Sequence, residues 1–449
     1  MMNPLFTLIV ICLNTANCKW RSALAFGLVA LMLCLHVTIV FAADGGLDQT
    51  FGSGGKVITQ LSPDPSSNIY ALKGQADGKL IAAGDISNNF AADFAIARYH
   101  TDGSLDSSFG IGGIATTDFL GQQDTALGLA IQSDGKIVAA GYAFSNDAHF
   151  NFALARYNID GSLDATFGTN GRVTTDFFSN DDEAIAITIL PDGRIVVAGL
   201  ASDTIGVSDF AIARYHANGS LDTSFGTNGT VTTDFFGDHD VAMSLAIQSD
   251  GKVVTSGSSV NAFNYDFALI RYNTDGSLDP AFGIGGKVIT DFSGTNDEAL
   301  GVVIQADNKI VAVGGSPSPT TENDFVLARY NTDGSLDNTF GNGGKVSTDF
   351  SGEYDRATAV AIQTDQRIVV TGTASQNTSP SFGVARYETN GTLDTNFGNG
   401  GRVTTDFSTP AAANCLVIQS DNKIVAAGSA GGHFALARYK VTKRSRPAK

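Results

Sequence analysis

The stretch DFVLARYNTDGSLDNTFGNGGKVSTDF, residues 324–350, decides how the chain is read. It holds an arginine, several aspartates and many glycines, the ingredients of phosphate loops and metal sites. Nearly the same phrase is written seven times. Phe-Gly recurs at Phe51, Phe109, Phe167, Phe225, Phe282, Phe340 and Phe397, and Arg-Tyr at Arg98, Arg156, Arg214, Arg271, Arg329, Arg386 and Arg438. The period is 57 or 58 residues, shortened to 52 at the last step, which marks an array of one supersecondary unit. A feature copied into every unit argues for architecture before chemistry.

Working outward through the copy at 182–235, EAIAITIL and RIVVAG are apolar β-rich runs joined by the turn PDG, a variable polar loop leads to DFAIARYH, and GTVTTDF follows a Gly-rich link. These are four short strands, A to D. They do not alternate cleanly between apolar and polar, as expected of sheets covered on both faces. The Phe of LDxxFG is expected to wedge the gap between neighbouring sheets. The chain opens on an orphan D strand, GKVIT, and closes on A, B and C of a last copy ending at Tyr439. An open solenoid would need polar caps, whereas a ring can be shut by pairing these two ends. The expected fold is all-β: a seven-bladed β-propeller with four antiparallel strands per blade, its ring closed by residues 56–60 joining about 413–439.

The phrases GSLDxxFGxxGxVxTDF, AxAIQxDGKIVAAG and FALARYNxDG resemble the delta-60 repeat, a bacterial repeat assigned to a β-propeller domain of unknown function. The resemblance covers about residues 44–439. It implies a fold and a setting outside the cell, and it implies no reaction and no catalytic residues. The first copy departs from it with TQLSPDPSSN and the last with TDFSTPAAAN, both beside the expected closure.

The N-terminus reads as an export signal over residues 1–43: Lys19 and Arg21, about twenty mostly apolar residues, then small residues suited to cleavage after Ala42 or Ala43. An uncleaved anchor is the alternative; otherwise no membrane insertion is expected. The protein is therefore placed in the periplasm, at the cell surface or in the medium. Cys12, Cys18 and Cys34 fall in that segment, leaving Cys415, whose slot holds Gly or Ala in other copies and reads as a buried small side chain. Residues 440–449 form a basic tail.

Residues 44–439 hold 45 acidic and 21 basic residues, a net charge of −24. Seven basic residues are the Arg of Arg-Tyr, seven follow the A–B turns, and five stand in GK or GR before strand D. Only Lys73 and Arg356 remain. No basic stripe is left for a phosphate backbone, so nucleic acid is not an expected partner.

Lys345 in GNGGKVST opens a β-run where a phosphate loop requires a helix. Of the six histidines His36 lies in the expected signal, His100 and His216 follow Arg-Tyr, His149 and His433 sit in B–C loops and His239 in a D–A loop, with no GxSxG elbow. Charge placement says more. The start of C lies beside the end of D in an antiparallel sheet, which pairs Asp93 with Asp118, Asp209 with Asp234, Asp266 with Asp291, and Asp324 with Asp349. The D–A loops at that edge add Asp124, Asp181, Asp182, Glu183, Asp238, Asp240, Asp297, Glu298, Glu353 and Asp355, making one face acidic. Such oxygen-rich groups suit Ca²⁺; equally, each Asp can accept hydrogen bonds from loop amides. Asn151, Ser381 and His433 replace the first Asp in three blades, as suits a structural role.

The B–C loops differ most between copies and lie on the acidic face, with Phe144, Phe150, Phe263 and Tyr265 as contact candidates. The expectation is a monomeric, exported, non-enzymatic scaffold that binds a protein or glycan through this face, with Ca²⁺ assistance. The alternatives are a propeller hydrolase or lactonase with a metal in the central channel, against which the nearly ligand-free A strands weigh, and a structural surface-layer protein.

Overall fold

The computed structural model describes residues 44–61, 67–88, 91–146, 148–261, 264–292, 296–317, 322–376 and 379–441. The expected export signal, Phe263 and the tail beyond Val441 lie outside the described residues. Seven four-stranded antiparallel sheets follow one another as blades 1 to 6, residues 69–117, 124–175, 182–233, 240–290, 298–348 and 355–405, and blade 7, residues 411–439 with 56–59. The strand order is A-B-C-D in each, with A innermost. Inner strands of successive blades touch, and that of blade 7 touches that of blade 1. The protein is a seven-bladed β-propeller.

Blade 2 shows how the sequence produces the unit. Its strands are A, Asp124–Ile131; B, Ile137–Phe144; C, Phe150–Tyr157; and D, Arg172–Thr175. In the A–B turn the Asp134 carboxylate accepts the Lys136 amide, and Gly135 adopts a left-handed φ of 84°. Strands B and C are buried along most of their length because another blade lies on each side. Every A strand carries a β-bulge, here at Leu127 between Ala126 and Gly128. The glycine of IVAAG follows from it. A Cβ at Gly141 would stand 1.8 Å from the Thr125 carbonyl on the bulged strand.

The core lies between blades. Phe109 is fully buried with Ile81 and Phe94 of blade 1 and Ile137, Ala139 and Tyr157 of blade 2. It is the expected wedge, and truncating it to Ala costs about 3–5 kcal/mol. The Tyr of Arg-Tyr reaches back: the Tyr157 hydroxyl meets Thr117 of the preceding blade at 2.7 Å.

Closure follows the same rules. Lys56–Thr59 pairs with His433–Tyr439, Lys56 opposite Ala437 and Thr59 opposite Phe434. Residues 44–48 supply the rest of blade 7's link, with the Asp48 amide bonded to the Arg438 carbonyl. A-strand starts, D-strand ends and B–C loops share one end of each blade, termed upper. The A–B turns and C–D links make the lower end.

Candidate functional site

The repeated Arg-Tyr phrase belongs to the lower end, and its chemistry is internal. Arg98 donates through Nε to Asp106 Oδ2 at 2.8 Å, stacks 4.7 Å over the Phe109 ring, and reaches the Ile159 carbonyl in the next blade. Lys79 of the A–B turn binds the same Asp106 oxygen at 2.8 Å. The Asp held by two cations recurs in all seven blades, ending with Arg438, Lys423 and Asp48 at the closure; Arg386 reaches the Asp44 carboxylate where the other arginines reach a carbonyl of the next blade. The hydrogen bond from Lys79, then those from Ser108, hold the Asp106 carboxyl well below the usual carboxylate range. At Asp48 burial works the other way, but Thr50 and Lys423 keep it near about 2. Fourteen of the 21 basic residues are thereby committed to joining turn, link and neighbouring blade.

The upper end inverts this. The sequence pairs are adjacent there, and each gains a third carboxylate from the following A strand: Asp93, Asp118 and Asp124; Asp209, Asp234 and Asp240; Asp266, Asp291 and Asp297; Asp324, Asp349 and Asp355. One carboxylate oxygen of each lies within 4.8 Å of the others in its group. The third Asp is fully buried. Asp124 Oδ2 accepts the Phe119 amide at 2.7 Å, while the nearby Phe144 amide donates to the Gln123 carbonyl at 3.1 Å. Desolvation, then the charges of Asp118 and Asp93, push the Asp124 carboxyl up to about 7. Burial likewise raises Asp182 to about 7 and Asp240 and Asp355 to about 6. Asp93, Asp209 and Asp266 are also raised, first by burial and then by the partner Asp.

A hard cation with oxygen ligands at about 2.4 Å spans about 4.8 Å between opposite ligands, so three such oxygens fit around one Ca²⁺. The remaining junctions lack the set: Asn151, Asp176 and Asp182; Ser381, Asp406 and Ala411; His433, Gln60 and Ser67. The amide bonds from Phe119, Phe177, Phe235, Phe292 and Phe350 to the third Asp show these carboxylates also acting as loop supports.

The five basic residues that open strand D turn to the preceding blade. Lys287 Nζ donates to the Asp234 carbonyl and lies 5.3 Å over Phe235; Lys345 does the same with Asp291 and Phe292, and Lys56 with Asp406 and Phe407. Arg402 donates to the Asp349 carbonyl. Arg172 reaches only the Phe119 ring, at 6.0 Å.

The last two basic residues face the central channel, a space of about 400 Å³ lined by the inner strands. The bulge positions ring it: Tyr70, Leu127, Ile185, Met243, Leu300, Thr358 and Asn414. Thr358 donates to the Ala413 carbonyl and Asn414 to that of Ile69, joining blades 6, 7 and 1 across the closure. Arg356 pairs with Glu298. Burial lowers the Lys73 ammonium and strongly raises the neighbouring Cys415 thiol. Among the described residues that line this space none is a carboxylate or imidazole, and the carboxylate of Glu298 is held by Arg356.

A model of the "Domain of unknown function (DUF5122) beta-propeller" matches residues 75–109, 132–167, 190–225, 248–282, 305–340, 363–397 and 419–441, one segment per blade and more than half of the chain. The chain belongs to the DUF5122 β-propeller family. No curated protein matches it. Among solved structures, this DUF5122 propeller is similar to a protein of unknown function from Dyadobacter fermentans (12% identity, 86% of this chain and 98% of that one, TM-score 0.43). It is also similar to Chaetomium thermophilum Sqt1 bound to the N-terminus of ribosomal protein L10 (13% identity, 84% and 98%, TM-score 0.46). A third is a putative oxidoreductase (glucose dehydrogenase) from Thermus thermophilus (13% identity, 71% and 94%, TM-score 0.40). Identities and scores this low leave activity and partner to be argued from the chain itself.

The upper loops of this DUF5122 propeller correct one expectation. Phe144 and Phe150 are half-buried and pack edge to face at 5.2 Å, and Tyr265 is half-buried too, because the loop ends continue strands B and C. Among the described residues, the exposed large apolar side chains of the upper loops are Leu120, Phe178 and Phe236, each following Asp-Phe in blades 1 to 3, with Ile205 and Tyr354. The signal was available: Leu or Phe stands there where other copies have Ser. The sequences Asn218-Gly-Ser and Asn390-Gly-Thr, glycosylation acceptors by pattern, are turns, with Asn218 and Asn390 accepting the amides of Ser220 and Thr392.

Proposed function

We propose that this DUF5122 propeller, of the delta-60 repeat type, is an exported, monomeric, non-enzymatic scaffold that binds a protein or glycan through its upper face. One observation carries the reading: sequence variation and clustered carboxylates coincide at the upper end, while the lower end pairs each buried Asp with two cations. Recognition is placed on variable loops held by rigid blades. The export signal puts the scaffold in the periplasm, at the cell surface or in the medium.

Ca²⁺ assistance is part of the proposal, resting on the spacing of the carboxylate groups. Calorimetric titration of residues 44–449 at about pH 8 is expected to show saturable uptake and a raised Tm, both reduced in Asp118→Asn and Asp234→Asn. Heat and Tm unchanged by Ca²⁺ would leave the carboxylates as loop supports. The scaffold itself is tested by replacing the B–C loops of blades 1 to 3 with the short loop of blade 7. The wild-type chain, immobilised, should retain an envelope protein or glycan that the loop-replaced chain does not; equal retention by both ends this reading.

A further inference from the structure

Four of the five basic residues opening strand D cap an Asp carbonyl of the preceding blade, and the fifth, Arg172, reaches the Phe119 ring. In the grooves between blades 3 and 4, 4 and 5, and 6 and 7, a Lys from the second blade crosses over the Phe of Asp-Phe and caps the Asp carbonyl of the first. Between blades 5 and 6, Arg402 caps the Asp349 carbonyl. Between blades 2 and 3 the equivalent residue is Thr230, too short to cross, its hydroxyl turned back to the Thr227 carbonyl. The receiving parts are retained: Asp176, Phe177 and Phe178 face Thr230 across a groove of about 810 Å³ that also includes Asp275. Among the described residues no side chain donates to the Asp176 carbonyl. Phe178 is 42% exposed beside it.

We propose that the groove between blades 2 and 3 receives a Lys or Arg side chain from a partner protein. The cation takes the position that Lys287 and Lys345 occupy in the sister grooves, over the Phe177 face and against the Asp176 carbonyl, with an apolar neighbour in the partner covering Phe178. The Asp275 carboxyl, kept ionised first by Ser277, and the exposed Asp176 give the groove a charge complementary to a basic segment. The site names a partner chemistry for the binding-scaffold reading and rests on it.

The experiment uses residues 44–449 and a fluorescein-labelled oligolysine of about eight residues, followed by anisotropy at about physiological salt. Thr230→Lys supplies the groove with its own cation and is expected to keep or raise the Tm while weakening oligolysine binding at least tenfold. Lys287→Thr opens the groove between blades 3 and 4 and should raise the stoichiometry from one to two. Ile284→Lys, at a position 90% exposed and not among the residues lining the groove between blades 2 and 3, adds the same charge away from that groove and should leave affinity within twofold. Binding unchanged in Thr230→Lys, an equal loss in Ile284→Lys, or no binding to the wild type would overturn the assignment. None of these variants alters a B–C loop, so the outcome is separable from the loop-replacement test.

Discussion

The two ends of the ring use the same residue, aspartate, to opposite effect. At the lower end each buried Asp of the LDxxFG phrase is met by two cations, and its proton is held less tightly than in water. At the upper end buried Asp residues meet one another, and their protons are held more tightly. What separates the two is whether a guanidinium or ammonium can be brought within about 3 Å, since burial alone penalises the charged form in both places. A propeller repeats whichever solution its unit contains. The lower end is therefore seven copies of a stabilising clamp, and the upper end carries four copies of a three-carboxylate junction.

The largest effect expected of breaking this contrast is at Arg386, which is fully buried and holds both Asp394 and Asp44 at 2.8 Å. Arg386→Ala removes the guanidinium that two buried carboxylates share and should cost about 3–5 kcal/mol in denaturant unfolding. A loss under about 1 kcal/mol would show the clamp to be dispensable.

The pH profile comes next, and the ends pull in opposite directions. Lower-end carboxyls are depressed, so their stabilisation is present above the ordinary value near 3.8 and is lost as pH falls through their lower folded values. Upper-end carboxyls are raised to about 6 or 7, so the favourable contribution is full below about 3.8 and is lost as pH rises toward those values. The Tm should peak near about pH 4–5 and be lower at about pH 8 by roughly 5 °C or more. Replacing Asp124, Asp182 and Asp240 by Asn should flatten the alkaline limb. A profile flat from about pH 4 to 8 in the wild type would contradict the contrast.

Smaller changes sharpen it. Tyr439→Phe removes a 2.7 Å hydrogen bond to Thr405 across the last junction and should cost about 1 kcal/mol by thermal melting. Lys287→Ala, at a partly exposed rim position, should cost no more than about 1 kcal/mol; a larger loss would make the cross-blade cations as structural as the lower clamps.

How much of this was legible follows from which contacts lie inside a repeat. The strands, the turns, the wedge role of Phe109 and the ring closure were readable because period, turn residues and mismatched ends are written along the chain. The pairing of Asp93 with Asp118 was readable from antiparallel register. Asp124 as a third member was not: it belongs to the next blade. The same holds for Lys287 on Asp234, 53 residues apart, and for the bulged residues Tyr70 and Asn414, whose side chains a local kink turns into the channel.

The sequence by itself determined the unit, its number and the closure of the ring, since these depend on local patterning and on the two ends fitting one another. Only the tertiary structure decided which charges meet. That depends on how far each sheet is turned against its neighbour, which is set by Phe, Ala and Gly packing between blades. A residue's partner across that boundary is fixed by geometry, not by its distance along the chain.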